Sequence, residues 1–324
     1  MIKQRYFARL LAVLLASLAA TAPAQEVYPN RPIKLIVPLG PGSATDALTR
    51  VMAEALTHEL NGTLVVENKP GAAGAIGANF VAKAAPDGYT IGVFHSSVLT
   101  AAAAINPKLP YDPRKDFTPI AIVASNPIVL AVPANSRYKT LDEFVDAARK
   151  EPGKHTTGFI GIGSHSQFNL ELLNMASGAK ISAIPYAQGS GPLLNGLLGG
   201  EIESGSAVWA TFAGQVAGGK LRLLATAAPL KELPDVPTFA DRGYKKANME
   251  VLMVVVAPPQ LPKAIADRLS QAVERILKDP KTAQRIESQG LLVRYGDSRQ
   301  LAGYLAEETA LLTDVAAKSG IKAE

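Results

Sequence analysis

Four times along this chain an apolar run of strand length ends in a glycine-rich turn that opens a helical pattern. Ile33 to Val37 leads through Pro38-Leu39-Gly40-Pro41-Gly42-Ser43-Ala44-Thr45-Asp46 to a stripe at Leu48, Val51, Met52 and Leu56. Leu64 to Glu67 leads through Asn68-Lys69-Pro70-Gly71-Ala72-Ala73-Gly74 to Ile76, Phe80, Val81 and Ala84. Thr156 to Ile160 leads through Gly161-Ile162-Gly163-Ser164-His165-Ser166-Gln167 to Phe168, Leu172 and Met175. Ile181 to Tyr186 leads through Ala187-Gln188-Gly189-Ser190-Gly191-Pro192 to Leu193, Leu194, Leu197 and Leu198. Strands alternating with helices predict α/β architecture with largely parallel sheets.

The turns carry more information than a change of direction. Ser43 with Asp46, and Ser164 with Gln167, have the Ser-x-x-acid/amide spacing of a capping box, so each turn is expected to deliver a helix N-terminus. Free backbone N–H groups and the positive end of the helix dipole make such an end receptive to anions. One turn of this kind reads first as a simple connection. Four, two on either side of a polar interruption at Ser125-Asn126-Pro127, predict two lobes that offer helix ends to a common cleft.

Composition narrows the function. Lys3, Arg5 and Arg9 precede the apolar stretch Leu10 to Ala20, and Ala22-Pro23-Ala24 has the small-x-small cleavage pattern, so residues 1–24 read as an export signal and Gln25 as the mature start. Its loss lowers 33 basic residues to 30 against 28 acidic ones, about +2 rather than +5. With no basic run, nucleic acid is not an expected partner. The absence of cysteine excludes disulfides, thiol catalysis, Cys-ligated metals and an N-terminal lipid anchor. An unanchored exported chain is expected in a periplasm, as a monomer.

Catalytic grammar is sparse. Gly161-Ile162-Gly163-Ser164-His165 lacks the following glycine of a nucleophile elbow, and no His-Glu-x-x-His, calcium loop or Walker lysine occurs. No cofactor or metal is expected. His95 and His165 read as capping or packing residues, His58 as solvent-facing, and Trp209 as core or cleft wall. Glu203 reads as an edge residue or a ligand anchor. A Ser164–His165 hydrolase stands as the enzymatic alternative.

The segments Tyr28-Pro29-Asn30-Arg31-Pro32-Ile33, Pro41-Gly42-x-x-x-Asp46, Val66-Glu67-Asn68-Lys69-Pro70-Gly71-Ala72 and Pro86-Asp87-Gly88-Tyr89-Thr90 together carry a resemblance. So do Tyr111-Asp112-Pro113-Arg114-Lys115-Asp116-Phe117, Leu197-Leu198-Gly199-Gly200, Asp235-Val236-Pro237-Thr238-Phe239 and Gly320-Ile321-Lys322. From end to end of the mature chain they resemble the substrate-binding proteins of tripartite tricarboxylate transporters, the Bug family. The resemblance implies a two-lobed, type II-like Venus flytrap, each lobe a mostly parallel sheet flanked by helices. Lobe 1 would comprise residues 25–124 plus 227–324, and lobe 2 residues 125–226. It implies capture of a small carboxylate (di- or tricarboxylate, acidic amino acid or aromatic acid), without catalysis, for delivery to membrane transporter subunits; presentation to a membrane sensor is the alternative.

In that family the turns matching Leu39 to Asp46 and Lys69 to Gly74 hold a ligand carboxylate through backbone N–H groups and bridging waters. Carried onto this sequence, the resemblance implies a site at Leu39, Gly42, Ser43, Ala44, Asp46, Ala73, Gly74, Ser96, Ser97, Ser164, His165, Gln167, Gly189 and Ser190. Leu39 stands where an aromatic is common, Ser43 where a second glycine is, Gln167 where a histidine is, and Gly196 where an aspartate is. These departures leave the ligand's identity open.

Overall fold

The computed structural model describes residues 28–187 and 189–323. The expected export signal and Gln25 lie outside the described residues. In chain order, β1 (Ile33–Val37), α1 (Ala44–Leu60), β2 (Leu64–Asn68), α2 (Ala75–Ala82), β3 (Thr90–His95) and the short α3 (Ala101–Ile105) come first. The 16-residue strand β4 (Thr118–Pro133) follows, then α4 (Leu141–Lys150), β5 (Thr156–Phe159), α5 (His165–Ser177), β6 (Ser182–Pro185) and α6 (Ser190–Gly199). Next are β7 (Ser204–Val208), α7 (Trp209–Ala217), β8 (Leu221–Thr226) and β9 (Glu250–Ala257). The chain ends with α8 (Lys263–Lys278), α9 (Pro280–Glu287), β10 (Leu292–Gly296) and α10 (Ser298–Ser319).

Two sheets share β4. The first runs β2-β1-β3-β9-β4-β10, parallel across β2, β1 and β3 and antiparallel where β9, β4 and β10 join. The second runs β6-β5-β7-β4-β8, parallel across β6, β5 and β7 and antiparallel on both sides of β4. The parallel strands carry the glycine-rich turns at their C-terminal ends, and the antiparallel ones carry the chain between lobes.

The polar interval at Ser125-Asn126-Pro127 does not interrupt the strand, as its composition suggested. β4 pairs with β9 from Thr118 to Pro127 and with β7 and β8 from Ile128 onward. Ser125 and Asn126 are buried inside a continuous strand. They are tolerated because the ladder satisfies their backbone, and the Asn126 side-chain oxygen accepts the Ala210 N–H at 3.3 Å.

Side chains alternate along β9 and along the second half of β4, while bulges in the first half of β4 put Ile120 with Ala121, and Val123 with Ala124, into one core. Along β9, Leu252, Val254 and Val256 enter one core and Met253, Val255 and Ala257 the opposite one. Along β4, Ile128, Leu130 and Val132 face the core of α4 and α5, while Val129 and Ala131 face that of α6 and α7. Helices cover both faces of each sheet, which explains why these strands read as continuous apolar runs rather than alternating ones. Each such aliphatic side chain contributes about 1.5–3 kcal/mol by leaving water.

The return path is also hydrogen-bonded. Ala227 N–H donates to Ile128 O at 2.8 Å, and Ile128 N–H donates to Met249 O at 3.1 Å. Between them Phe239, Ala247 and Met249 pack in the second lobe's cluster around Phe144 and Phe168. Helix α10 joins the lobes a third time: Leu301 and Leu305 sit in the first lobe's core, Leu312, Val315 and Ala316 in the second's. Asp279 ends α8 and caps α9, its carboxylate accepting the Thr282 N–H with Pro280 at the first helical position. No helix among the described residues is long and apolar enough to cross a membrane.

Candidate functional site

The first turn is built around its aspartate. Ser43 caps α1, its hydroxyl accepting the Asp46 N–H at 3.2 Å. The Asp46 carboxylate reaches back one residue further than the capping box expected. It accepts the Gly42 N–H at 3.0 Å, together with Arg50 at 3.0 and 3.1 Å and the Asn68 amide at 2.9 Å. Gly42 stands at φ +82°, where glycine is favoured, which turns its N–H toward that carboxylate. Burial pushes the Asp46 carboxyl up, but the hydrogen bonds from Arg50, Gly42 and Asn68 outweigh it and hold the group below the usual carboxylate range.

The second-lobe turn repeats this construction. Ser164 caps α5 by accepting the Gln167 N–H at 3.3 Å, and the Gln167 side-chain oxygen accepts the Gly163 N–H at 2.7 Å. Gly163 has φ +73°, and a Cβ there would stand 2.2 Å from Ile105 Cδ1. The positive φ is what favours glycine here, and the mobile end of the Ile105 side chain occupies the space a Cβ would take.

These turns face each other across a cavity of about 370 Å³. Leu39, Ala44, Thr45, His95, Ser97, Val251 and Met253 line it from the first sheet's side. Ile128, Ile160, Ser164, His165, Ser166, Ala207 and Val208 line it from the second's, and Asn126 lies at the passage of β4. Helix geometry leaves the first N–H groups of a helix without an internal acceptor. Here those residues are Ala44 and Thr45 in α1 and His165 and Ser166 in α5, and all four border the cavity. Val208, the cap residue of α7, brings a third helix end to the same space.

Of the residues expected from the sequence, the structure brings together Leu39, Ala44, Ser97, Ser164 and His165 at this cavity. Gly42, Ser43, Asp46 and Gln167 lie behind it and shape the two turns. Ser96 is fully buried, its hydroxyl accepting the Leu252 N–H at 3.2 Å. Ala73 and Gly74 belong to a 3₁₀ turn at Ala72–Gly74 in which Ala72, Ala73 and Gly74 all have positive φ. Gly74 packs against Pro38 and Val98, supporting the first turn from outside. Gly189 and Ser190 open α6 and are not among the residues that line this cavity.

Sequence reasoning missed Thr45 and, as walls, Ile128, Val208, Val251 and Met253. Asn126 carried a signal, a polar residue within an apolar run. The walls carried none, because apolar strand residues that line a cleft look like those that fill a core.

Behind the cavity runs a buried polar line. His165 Nε2 stands 3.2 Å from Glu308 Oε2, close enough to pair electrostatically but not aligned as a hydrogen bond. The Tyr304 hydroxyl lies between Glu308 and the Glu250 carbonyl, 2.9 Å from the latter, and burial and Glu308 raise its pKa well above the ordinary phenol. His95 is brought down to about 4 by desolvation and by His165.

Ser164 Oγ takes the Gln167 N–H and pairs with Ser166 Oγ at 3.0 Å, while His165 faces Glu308. This is not the serine–histidine pair that hydrolysis needs. His155 and Glu203 bond each other at 2.8 Å, and Trp209 is buried in the core with Phe212; none of the three lines the cavity. His58 is exposed.

Comparison with known proteins agrees with this architecture. The family profile described as "Tripartite tricarboxylate transporter family receptor" matches residues 48–321. Protein BugT of Bordetella pertussis is 32% identical over 97% of this chain and 98% of its own. Among solved structures, MatC (Rpa3494) from Rhodopseudomonas palustris with bound malate is 30% identical, with a TM-score of 0.71 over 89% of this chain and 99% of that one. Rpa4515 of the same organism, with adipate, is 27% identical, with a TM-score of 0.76 over 91% of this chain and 99% of that one. With its two sheets, shared long strand and interlobe cavity, this chain belongs to the tripartite tricarboxylate transporter receptor family, the Bug-type solute-binding proteins of the periplasmic binding class.

Proposed function

We propose that this protein is an exported receptor that captures a small carboxylate between its lobes and delivers it to the membrane subunits of a tripartite tricarboxylate-type transporter. The observation that carries this reading is the convergence of Ala44, Thr45, His165 and Ser166, the open N-terminal residues of two helices from opposite lobes, on one cavity. Backbone donors and the hydroxyls of Ser97, Ser164 and Thr45 hold the anion. A hydrogen bond to a charged group contributes about 1.5–3 kcal/mol, so three or four reach the roughly 8 kcal/mol of micromolar affinity. The malate and adipate bound to the two relatives support a carboxylate as the ligand class.

In this reading Leu39, Ala44, Thr45, Ser97, Ser164, His165 and Ser166 touch the ligand, and Gly42, Ser43, Asp46 and Gln167 hold the turns. The lobes divide where β4 changes partners, between Pro127 and Ile128, and again between Met249 and Glu250. The packing of Phe239, Ala247 and Met249 with Phe144 supports placing residues 227–249 in the second lobe. The basic and apolar leader at residues 1–24 supports export. The protein acts as a monomer and closes by hinge rotation about these crossings.

The test is a thermal-shift screen of carboxylates. A ligand at 100 times its dissociation constant stabilises the folded protein by about 2.7 kcal/mol. If no carboxylate raises the melt, the reading fails.

A further inference from the structure

We propose that His95 is a binding residue of the cavity and takes up a proton as the carboxylate enters, so that the anion is captured together with a proton. The inference rests on the receptor reading and adds to it a residue and a pH dependence.

His95 ends β3 on the face that Ile91 and Val93 present to the first lobe's core. Its partner across the ladder, Met253 of β9, packs in that core and, like His95, borders the cavity. The row therefore runs from hydrocarbon to an imidazole at the cavity wall. Thr45 Oγ1, at the start of α1, lies 3.8 Å from the Met253 sulfur, which puts the first helix end beside the same pair of strands. The carboxylate bound at that end has His95 as a neighbour.

In the empty cavity nothing favours a charged ring. Burial and the neighbouring His165 of α5 bring His95 down to about 4, with no carboxylate or hydrogen bond to oppose them. The N-terminal ends of α1, α5 and α7 act in the same sense. So does Asn126, whose oxygen accepts the Ala210 N–H and whose amide N–H groups remain as donors. The acidic groups of the surrounding elements are engaged elsewhere. Asp46 of α1 pairs with Arg50, Glu250 of β9 with Arg294, and Glu308 of α10, beside Tyr304, faces His165.

A carboxylate reverses this balance. An opposite charge within about 4–6 Å moves a pKa by about 1–3 toward the charged form. A carboxylate also offers about four acceptor positions, so an imidazolium N–H joins the backbone and hydroxyl donors without displacing them. If the anion favours the proton, the proton favours the anion to the same extent, and affinity rises as pH falls.

The chain has four histidines, so their Cε1–H signals can be followed separately by NMR, with His95→Gln identifying that of His95. Without ligand the His95 midpoint is expected below about pH 5. With malate, adipate or benzoate, whichever binds most tightly, it is expected to rise by at least about one pH unit, while exposed His58 stays in place. In titration calorimetry, wild type is expected to gain about threefold or more in affinity over His95→Gln between pH 7.5 and 5.5, a comparison in which the ligand's own protonation cancels. A His95 midpoint unmoved by bound ligand, or an equal pH dependence in the two proteins, overturns the inference and leaves the receptor reading intact. Binding of none of the three carboxylates at either pH overturns both.

Discussion

Asp46 and Gln167 make the same hydrogen bond in opposite lobes, each side chain accepting the N–H of the glycine four residues before it, at 3.0 Å to Gly42 and 2.7 Å to Gly163. Each glycine precedes a serine that caps a helix, so Gly-Ser-x-x-Asp and Gly-Ser-x-x-Gln build one device twice. The device fixes the angle at which α1 and α5 point their open ends into the cavity. The two copies differ in charge: the aspartate is neutralised by Arg50, and the amide needs no partner.

Asp46→Asn keeps the shape of the first turn and removes its charge. The wild-type carboxyl lies below its unfolded value, so its contribution is fully present above the unfolded pKa, near 4, and is lost as pH falls through the folded one. Urea melts are expected to show the variant less stable at pH 7 by about 1–3 kcal/mol, with the gap closing toward pH 3. A pH-independent gap would mean that packing, not charge, holds the turn.

His95 gives the second pH-dependent contribution. Its folded pKa, about 4, lies below the unfolded value near 6.5. Between these values the unfolded chain binds more protons, so this contribution is complete above pH 6.5 and fades as pH falls toward 4. His95→Gln is expected to flatten the stability profile between pH 6.5 and 4 in denaturant titrations, whereas an unaltered slope would place the titration elsewhere.

Ala44 is exposed at the first position of α1 and borders the cavity. Ala44→Trp is expected to fill the space over the helix end and abolish ligand-induced stabilisation. The unliganded melt should stay within about 0.5 kcal/mol of wild type, as exposed substitutions do. Retained carboxylate affinity would show that the α1 terminus is outside the site.

Glu308 meets His165 and Tyr304 in a buried environment, 7% exposed. Glu308→Ala leaves both partners uncompensated and is expected to cost about 3–5 kcal/mol in chemical denaturation. A loss below about 1 kcal/mol would show that the pair adds little beyond packing.

Much of this protein was written locally. Gly42-Ser43 and Gly163-Ser164 specify helix ends because a capping hydroxyl and a positive-φ glycine act over three or four residues, where sequence and space coincide. The apolar runs of β4 and β9 specified buried strands for the same reason. The sequence could not show that Asp46 and Gln167 would reach Gly42 and Gly163 rather than the serine N–H groups, since either acceptor geometry fits the spacing. Nor could it show that Ile128, Val208, Val251 and Met253 form one wall, or that His165 meets Glu308 143 residues away. Those relations depend on how two sheets are set about a shared strand. That arrangement is fixed by the sum of many apolar contacts across the cores, and local hydrogen bonding does not encode it.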